Sequence, residues 1–221
     1  MDFAYIQSIL PALLQGTLES LRIFFLTLVF ALPLGLPIAL GAMSRIWPLK
    51  ALAKLYVWVF RGTPLMLQIM FFFYGMPLVL GIRLERLPTA IFTFVLNYAA
   101  YFAEIYRGGI ESIDRGQREA AKSLGFSPWQ TMRMIVIPQA LRRVVPAVSN
   151  EVITLVKDTA LVYVIGVPEL LKAAKDANNR DVNPTAYLAA AVIYLSLTFV
   201  LTVIFQRLEK RFSRHERKDA V

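Results

Sequence analysis

The chain has 221 residues, 57% of them hydrophobic, with a formal net charge of +9, a single histidine and no cysteine. Several apolar runs approach or exceed the roughly 20 residues that carry a helix across about 30 Å of hydrocarbon, so these segments suit lipid rather than water. A cysteine-free chain has no disulfide framework or thiolate metal site, and His215 stands in a charged tail without a ligand partner, so neither metal nor cofactor is expected.

Five spans are expected, at residues 18–43, 56–80, 88–106, 144–167 and 185–206, in one all-α integral membrane domain covering residues 1–221. The N-terminus carries Asp2 and no basic residue before Arg22, unlike a cleaved signal peptide, so the first span is expected to be retained. Before it, residues 3–15 are apolar but interrupted by Gln7, Ser8 and Pro11, which suits an interfacial helix on the outer surface or an unstructured tail. In the first span Glu19 and Arg22 fall on one face and form a candidate ion pair. Pro33 and Pro37 should kink that span.

The second span contains Arg61-Gly62-Thr63-Pro64, a chain break after which Thr63 caps and Pro64 starts a helix to Leu80. Arg61 either snorkels to the headgroups or shares with Gln68 a face turned to protein or water. In the third span Asn97, Tyr101 and Glu104 fall at i, i+4 and i+7, on one face. Such groups are costly against lipid, so they should meet a partner helix or a wet cavity. Glu104 also has Arg107 and Lys122 as candidate ion-pair partners.

The fourth span is the least lipid-like. On a helical wheel Asn150, Glu151, Thr154, Lys157 and Asp158 occupy an arc of about 120°. Either Glu151, Lys157 and Asp158 neutralise one another and stitch helices together, or the stripe lines a path and offers both signs of charge to a zwitterion. The fifth span has only hydroxyls in its interior, among them Ser196, Thr198 and Thr202, and can face lipid.

Charge orients the chain. Sixteen basic residues fall on the side of the 107–143 loop and the C-terminus and five on the other, with Arg22, Arg61 and Lys157 near or inside spans. The positive-inside rule puts the C-terminus in the cytoplasm and the N-terminus outside. The basic excess thus has a use that needs no nucleic acid.

The cytoplasmic loop, residues 107–143, is patterned. Glu119–Leu124 reads as a short helix broken at Gly125, and Ser127-Pro128 opens a second one that ends near Pro138. Ala120 and Ala121 give a small-residue face, Arg118, Glu119 and Lys122 give polar edges, and Gly125 permits a tight bend with positive φ. Such an element is suited to docking against another protein.

Glu119-Ala120-Ala121, Gly125 and Ile135-Val136-Ile137-Pro138 together resemble the signature of the permease subunits of ABC importers, with Ile137 in place of the usual leucine. The likeness covers nearly the whole chain. Arg61-Gly62-Thr63-Pro64-Leu65, the stretch from Tyr98 to Ile110, Lys157-Asp158-Thr159-Ala160-Leu161 and Gly166-Val167-Pro168-Glu169-Leu170 are similar to the polar amino acid uptake branch, with Ala160 where a serine is usual.

The resemblance implies a type I importer permease, not itself an enzyme, in a bacterial-type cytoplasmic membrane. It would work with a dimer of cytoplasmic ATP-binding subunits, a second permease that is a copy or a different chain, and an extracytoplasmic solute-binding protein. Glu119, Ala120, Ala121 and Gly125 would couple to the ATPase. Asn97, Tyr101, Glu151, Thr154, Lys157 and Asp158 are the candidates for the path of an amino-acid substrate. The alternatives are a permease of this kind for another small solute and an ion-driven secondary transporter in which Glu151 and Asp158 relay cations. The chain has no Gly-x-x-x-x-Gly-Lys-Ser/Thr stretch for binding ATP itself.

Overall fold

The computed structural model describes residues 3–213, which form ten α-helices joined by short connections, two π turns and one 3-10 helix, with no strand among them. His215 and the basic residues Arg214, Arg217 and Lys218 lie outside the described residues.

The first helix, α1 (Phe3–Ala42), is continuous and keeps Pro11, Pro33 and Pro37 within it. The expected separate interfacial helix at residues 3–15 is therefore not found. Ile9 and Leu13 are buried against Leu170, Ala174 and Ala177 of α9 (Leu170–Asp181), and this packing holds the segment in line despite the hydrogen bond that Pro11 cannot donate. The Glu19–Arg22 pair forms at 3.8 Å, between side chains that remain partly exposed.

The expected second span is not one rod. Helix α2 (Trp47–Gly62) stops at Thr63, and the chain resumes as α3 (Leu65–Met70), a π turn (Phe71–Gly75) and α4 (Met76–Leu80), bent by 104° from α2. Pro64, expected to be the first helical residue, is instead the extended N-cap residue of α3, and Thr63 does not cap that helix. The Thr63 hydroxyl donates back to the Val59 carbonyl at 2.7 Å.

Helix α5 (Arg86–Glu111) forms the centre of the molecule. Its Phe94, Tyr98, Ala99 and Phe102 join Ile23, Phe24, Ile69, Val152, Leu155 and Val162 in the main core cluster. Burying these apolar surfaces contributes about 25 cal/mol per Å² only where water is the alternative, so within the membrane this cluster owes its cohesion to close packing. Glycine makes that packing possible where α1 crosses its neighbours. A Cβ at Gly35 would stand 2.9 Å from Phe102 Cβ, and one at Gly16 would stand 2.9 Å from the Glu169 and Leu170 backbone.

After α5 come α6 (Arg115–Ser123), α7 (Pro128–Thr131), a π turn (Met132–Val136) and α8 (Ile137–Asp158). The second loop helix was expected to end near Pro138, but the chain stays helical from residue 128 to residue 158. Ile137 N–H bonds to Met132 O, one residue further back than in an α-helix. That wider turn sits directly before Pro138, where an α-helix would lose a donor and meet the proline ring. The same device precedes Pro77, where Met76 N–H bonds to Phe71 O.

Helix α8 passes into a 3-10 helix (Thr159–Ile165) that ends at Gly166, φ +76. Glu169 then caps α9, accepting from the Leu171 and Lys172 amides at 2.7 and 2.6 Å and from the Tyr194 hydroxyl at 2.8 Å. Burial pushes its carboxyl above the usual range, against the opposing pull of those donors. Helix α10 (Thr185–Ser213) completes the fold and leaves Leu188, Leu195 and Phe199 exposed along its outer side.

Ala4–Ala42 and Thr185–Arg211 are each long and apolar enough to cross a membrane, and the bent pair Trp47–Gly62 with Leu65–Leu80 is a third candidate. The expected third span falls within α5, and the fourth, residues 144–167, covers the end of α8, the 3-10 helix and Gly166, with α5 and α8 amphipathic and their apolar faces packed into the core.

Gly35→Val overpacks the α1–α5 crossing and is expected to cost about 1–3 kcal/mol. The melting temperature of the detergent-purified protein checks this, with Gly108→Ala, where an added Cβ meets nothing within 4 Å, predicted not to lower it.

Candidate functional site

A break in a membrane-embedded helix leaves carbonyls without partners, and hydrocarbon offers none. Here two side-chain amides supply them. Gln68 Nε2 donates to Phe60 O at 2.9 Å, Thr63 O at 3.1 Å and Thr63 Oγ1 at 2.7 Å. Asn97 Nδ2 donates to the same Phe60 carbonyl and to Gln68 Oε1, both at 3.0 Å. Both amides are buried, and Asn97 is the link that fastens the break to α5.

The predicted face of α5 does turn toward a partner helix, and the partner is this break. One turn beyond Asn97, the Tyr101 ring lies under Arg61, whose Cζ is 5.1 Å from the ring centroid. A further turn on, Glu104 lies 3.9 Å from Arg61 and is held on its other side by Arg107, which also binds Glu111. The expected Glu104–Arg107 pair therefore forms, within a four-membered cluster. Arg61 reaches protein partners in Tyr101 and Glu104, while its side chain stays 41% exposed. Gln68 is buried as its face required, but it reaches Thr63 because the chain turns through 104°, and not because it continues one helical face.

Between the break, α5 and α8 lies a cavity of about 490 Å³. Arg61, Gly62, Thr63, Pro64 and Leu65 line it from the break, Asn97, Tyr98 and Tyr101 from α5, and Glu151, Thr154, Asp158 and Leu161 from α8 and the 3-10 helix. The structure thus brings together Asn97, Tyr101, Glu151, Thr154 and Asp158 of the sequence-derived candidates. Lys157 is not among the lining residues and is exposed, as is Asn150. Glu151, Lys157 and Asp158 form no ion-pair network among the described residues. Asp158 instead accepts a hydrogen bond from the Tyr98 hydroxyl at 2.8 Å.

Tyr98 and Arg61 are the lining residues that the stripe and the polar face did not single out. A tyrosine next to Asn97 was the available signal for the first, and an arginine beside a helix-breaking Gly-Thr-Pro was the signal for the second. A second cavity, of about 570 Å³, adjoins this one through Arg61, Gly62 and Tyr101, and is lined further by Lys54, Glu104 and Arg107.

The loop expected to dock a partner is tightly built. Helix α6 ends in a Schellman arrangement, with Phe126 N–H bonded to Ala121 O and Gly125 N–H to Lys122 O, both at 3.0 Å, and Gly125 at φ +83. Ser127 and Gln130 form a reciprocal capping box at the start of α7, as the Ser-Pro pair suggested. The two alanines face opposite ways, for Ala121 is buried and Ala120 is exposed beside Glu119. Exposed Leu124 and Trp129 flank the bend. Arg118 Nη2 donates to Ile110 O at 3.0 Å, Arg143 donates to Ser112 O, and Ile110, Ile113, Val136 and Ala140 pack together, so the loop is tied to the base of α5 and α8.

Comparison with known proteins agrees with this geometry. The family described as binding-protein-dependent transport system inner membrane component matches residues 31–214. The arginine transport system permease protein ArtQ of Bacillus subtilis is 36% identical over 217 residues, 98% of this chain and 99% of its own. The glutamine transport system permease protein GlnP of Escherichia coli K12 is 37% identical over 214 residues, covering 95% of this chain and 97% of its own. Among solved structures, an amino acid ABC transporter crystallised with histidines superposes with a TM-score of 0.90 at 34% identity, covering 96% of this chain and 99% of that one. The MetNI methionine ABC transporter shares the fold, with a TM-score of 0.73 at 20% identity over 97% of this chain and all of that one.

Asn97→Leu and Gln68→Leu each leave buried polar groups at the break with fewer partners, and each is expected to cost about 1–3 kcal/mol. Because both amides serve Phe60 O, the double variant should lose less than the two single losses together. Thermal melts of the four proteins in one detergent measure that coupling.

Proposed function

We propose that this chain, which belongs to the family of binding-protein-dependent transport system inner membrane components, is the membrane-spanning permease subunit of an ATP-driven importer that moves amino acids across the cytoplasmic membrane. The observation that carries this reading is the cavity at the helix break. It holds both signs of charge, a phenol pair and a hydroxyl around one half-open space, which is what a zwitterion needs when it leaves water. Asn97, Tyr101, Glu151, Thr154 and Asp158 border the path in this reading, with Arg61 and Tyr98 added to them. Lys157 belongs to the same helix but stands outside the lining.

ATP hydrolysis falls to a separate pair of cytoplasmic subunits, and α6 with the bend at Gly125 is the element that meets them. Glu119, Ala120 and Gly125 offer the contact surface, while Ala121 anchors α6 to the chain behind it. The helical run from residue 128 to residue 158 starts at that contact and carries Glu151 and Asp158 at its other end. A displacement of the loop therefore moves two carboxylates of the cavity as part of one body, the kind of rigid-body input that alternating access uses.

A second permease is supported by the other half of the α8 stripe. Asn150 and Lys157 are exposed on the isolated chain. Facing lipid they would be costly, so a second permease or a water-filled space between the two covers them. The basic residues counted above support an N-terminus outside with the loop and the C-terminus in the cytoplasm, and five spans with an external solute-binding protein delivering the substrate complete the proposal.

Uptake of a labelled amino acid into vesicles holding the whole complex tests the reading. Gly125→Pro removes the Gly125 N–H that bonds Lys122 O and forces φ away from +83, so uptake should fall to background with the chain still inserted in the membrane. Wild-type uptake should stop on ATP depletion and survive a protonophore, and the reverse pattern would favour an ion-coupled secondary transporter.

A further inference from the structure

At the end of the molecule that carries the 107–143 loop, a half-open cavity of about 560 Å³ lies between the end of α1, the start of α2, the end of α5 and the base of the loop. Arg45, Lys50, Lys54, Arg107 and Arg118 line it, and Glu111 is the one carboxylate in the lining. Arg107 is already taken, since Glu104 and Glu111 hold it and Glu104 also faces Arg61. Those four groups balance, two of each sign. Arg45, Lys50, Lys54 and Arg118 form no ion pair among the described residues, so their charge is left over around a single concavity.

The four come from separate elements. Arg45 lies in the connection after α1, Lys50 and Lys54 stand one turn apart on α2, and Arg118 belongs to α6. Arg118 is fixed through Nη2 to the Ile110 carbonyl at 3.0 Å, which leaves its other N–H groups for an acceptor in the cavity. Like charges gathered in a cleft repel one another and focus a positive potential there, and an anion relieves that repulsion. A phosphate, with its several acceptor oxygens, can meet more than one of these donors at once.

The rest of the lining is apolar: Leu40, Ala42, Met43, Ile110 and Met132. Leu40 is 51% exposed and ends a stripe on α1 in which Leu18, Phe25, Val29 and Leu36, all exposed, fall with it inside an arc of about 60°. That stripe runs along a helix long and apolar enough to cross a membrane. Trp47 is 77% exposed and falls within about 60° of both lysines on the wheel of α2, and tryptophan is a residue of the headgroup level. A free phosphate would use the charges and leave Leu40 idle, whereas a phospholipid uses both.

We propose that this cavity is a binding site for an anionic phospholipid, with its phosphate held by Arg45, Lys50, Lys54 and Arg118 and an acyl chain laid along Leu36 and Leu40. The site is separate from the helix break and does not depend on which solute the chain carries.

Spin-labelled phosphatidylglycerol and phosphatidylcholine, each added to the whole complex in phosphatidylcholine bilayers, test it through the fraction of label that the protein immobilises. The wild type should prefer phosphatidylglycerol by at least about fivefold, the worth of one basic group near an anionic surface. The triple variant Arg45→Gln, Lys50→Gln, Arg118→Gln should bring that preference to within about twofold, and each single substitution should lower it partway. Arg133→Gln, Arg142→Gln and Arg207→Gln together remove as much charge from exposed positions outside the lining and should leave the preference unchanged. No preference in the wild type, or equal loss in the two triple variants, would overturn the assignment. Displacement of the labelled lipid by inorganic phosphate at constant ionic strength would make this a site for free anions instead. Loss of the ATPase subunits from the cavity variant, with no lipid preference in the wild type, would assign the cluster to protein docking.

Discussion

The fold depends on the repair of one broken helix. Between Gly62 and Leu65 the chain turns through 104°, and hydrocarbon supplies no partner for the carbonyls such a break frees. Gln68 and Asn97 meet that need from two sides, and both converge on the Phe60 carbonyl. Much else follows from this. Asn97 fixes the height of α5 against the break, which sets Tyr101 under Arg61 and Glu104 beside it, and the space left between the break and α8 is the cavity. A straight helix in place of α2 and α3 would need neither amide and would leave no such space.

Much of this was legible in the chain. The Arg61-Gly62-Thr63-Pro64 stretch announced a break, and the i, i+4, i+7 spacing of Asn97, Tyr101 and Glu104 announced a face with somewhere polar to go. The capping box at Ser127 and the bend at Gly125 were readable because each depends on local chemistry. What local chemistry does not encode is continuity. Pro138 looked like an ending, since a proline ends an α-helix unless the preceding turn widens, and the π turn at Met132–Val136 is a response of the backbone that no single residue type announces. Pro11 misled in the same way, because Ile9 and Leu13 find burial in a cluster with α9 and α10, more than 150 residues away in sequence.

Recovering that continuity alters how the cytoplasmic loop and the cavity relate. As a loop followed by a span, the two would be joined through a flexible connection at Pro138. As one helical run, residues 128–158 join the bend at Gly125 to Asp158 without a hinge, and Arg143 and Arg118 bind the loop back to the base of α5. A Cβ at Gly109 would stand 2.1 Å from Val144 Cγ1, so α5 and α8 are also in close contact there. The loop is thereby tied to both helices that wall the cavity, whereas the break is fastened to α5 by the hydrogen bonds of Asn97 and Gln68.

The helical wheel of α8 carries one more step. Its five polar residues span about 120°, but the cavity takes only the portion of about 60° that holds Thr154, Asp158 and Glu151. Asn150 and Lys157 occupy the remaining edge and look elsewhere. The wheel alone could not divide the stripe, because the division is made by where the break and α5 stand. Lys157 lies outside the cavity lining and makes no ion pair with either carboxylate among the described residues, which weighs against a self-neutralising network. Where this chain uses charge to hold itself together, as with Glu104, Arg107 and Glu111, the charges meet. Among the described residues Glu151 and Asp158 have no basic partner within ion-pair distance, and Asp158 is held instead by the Tyr98 hydroxyl at 2.8 Å.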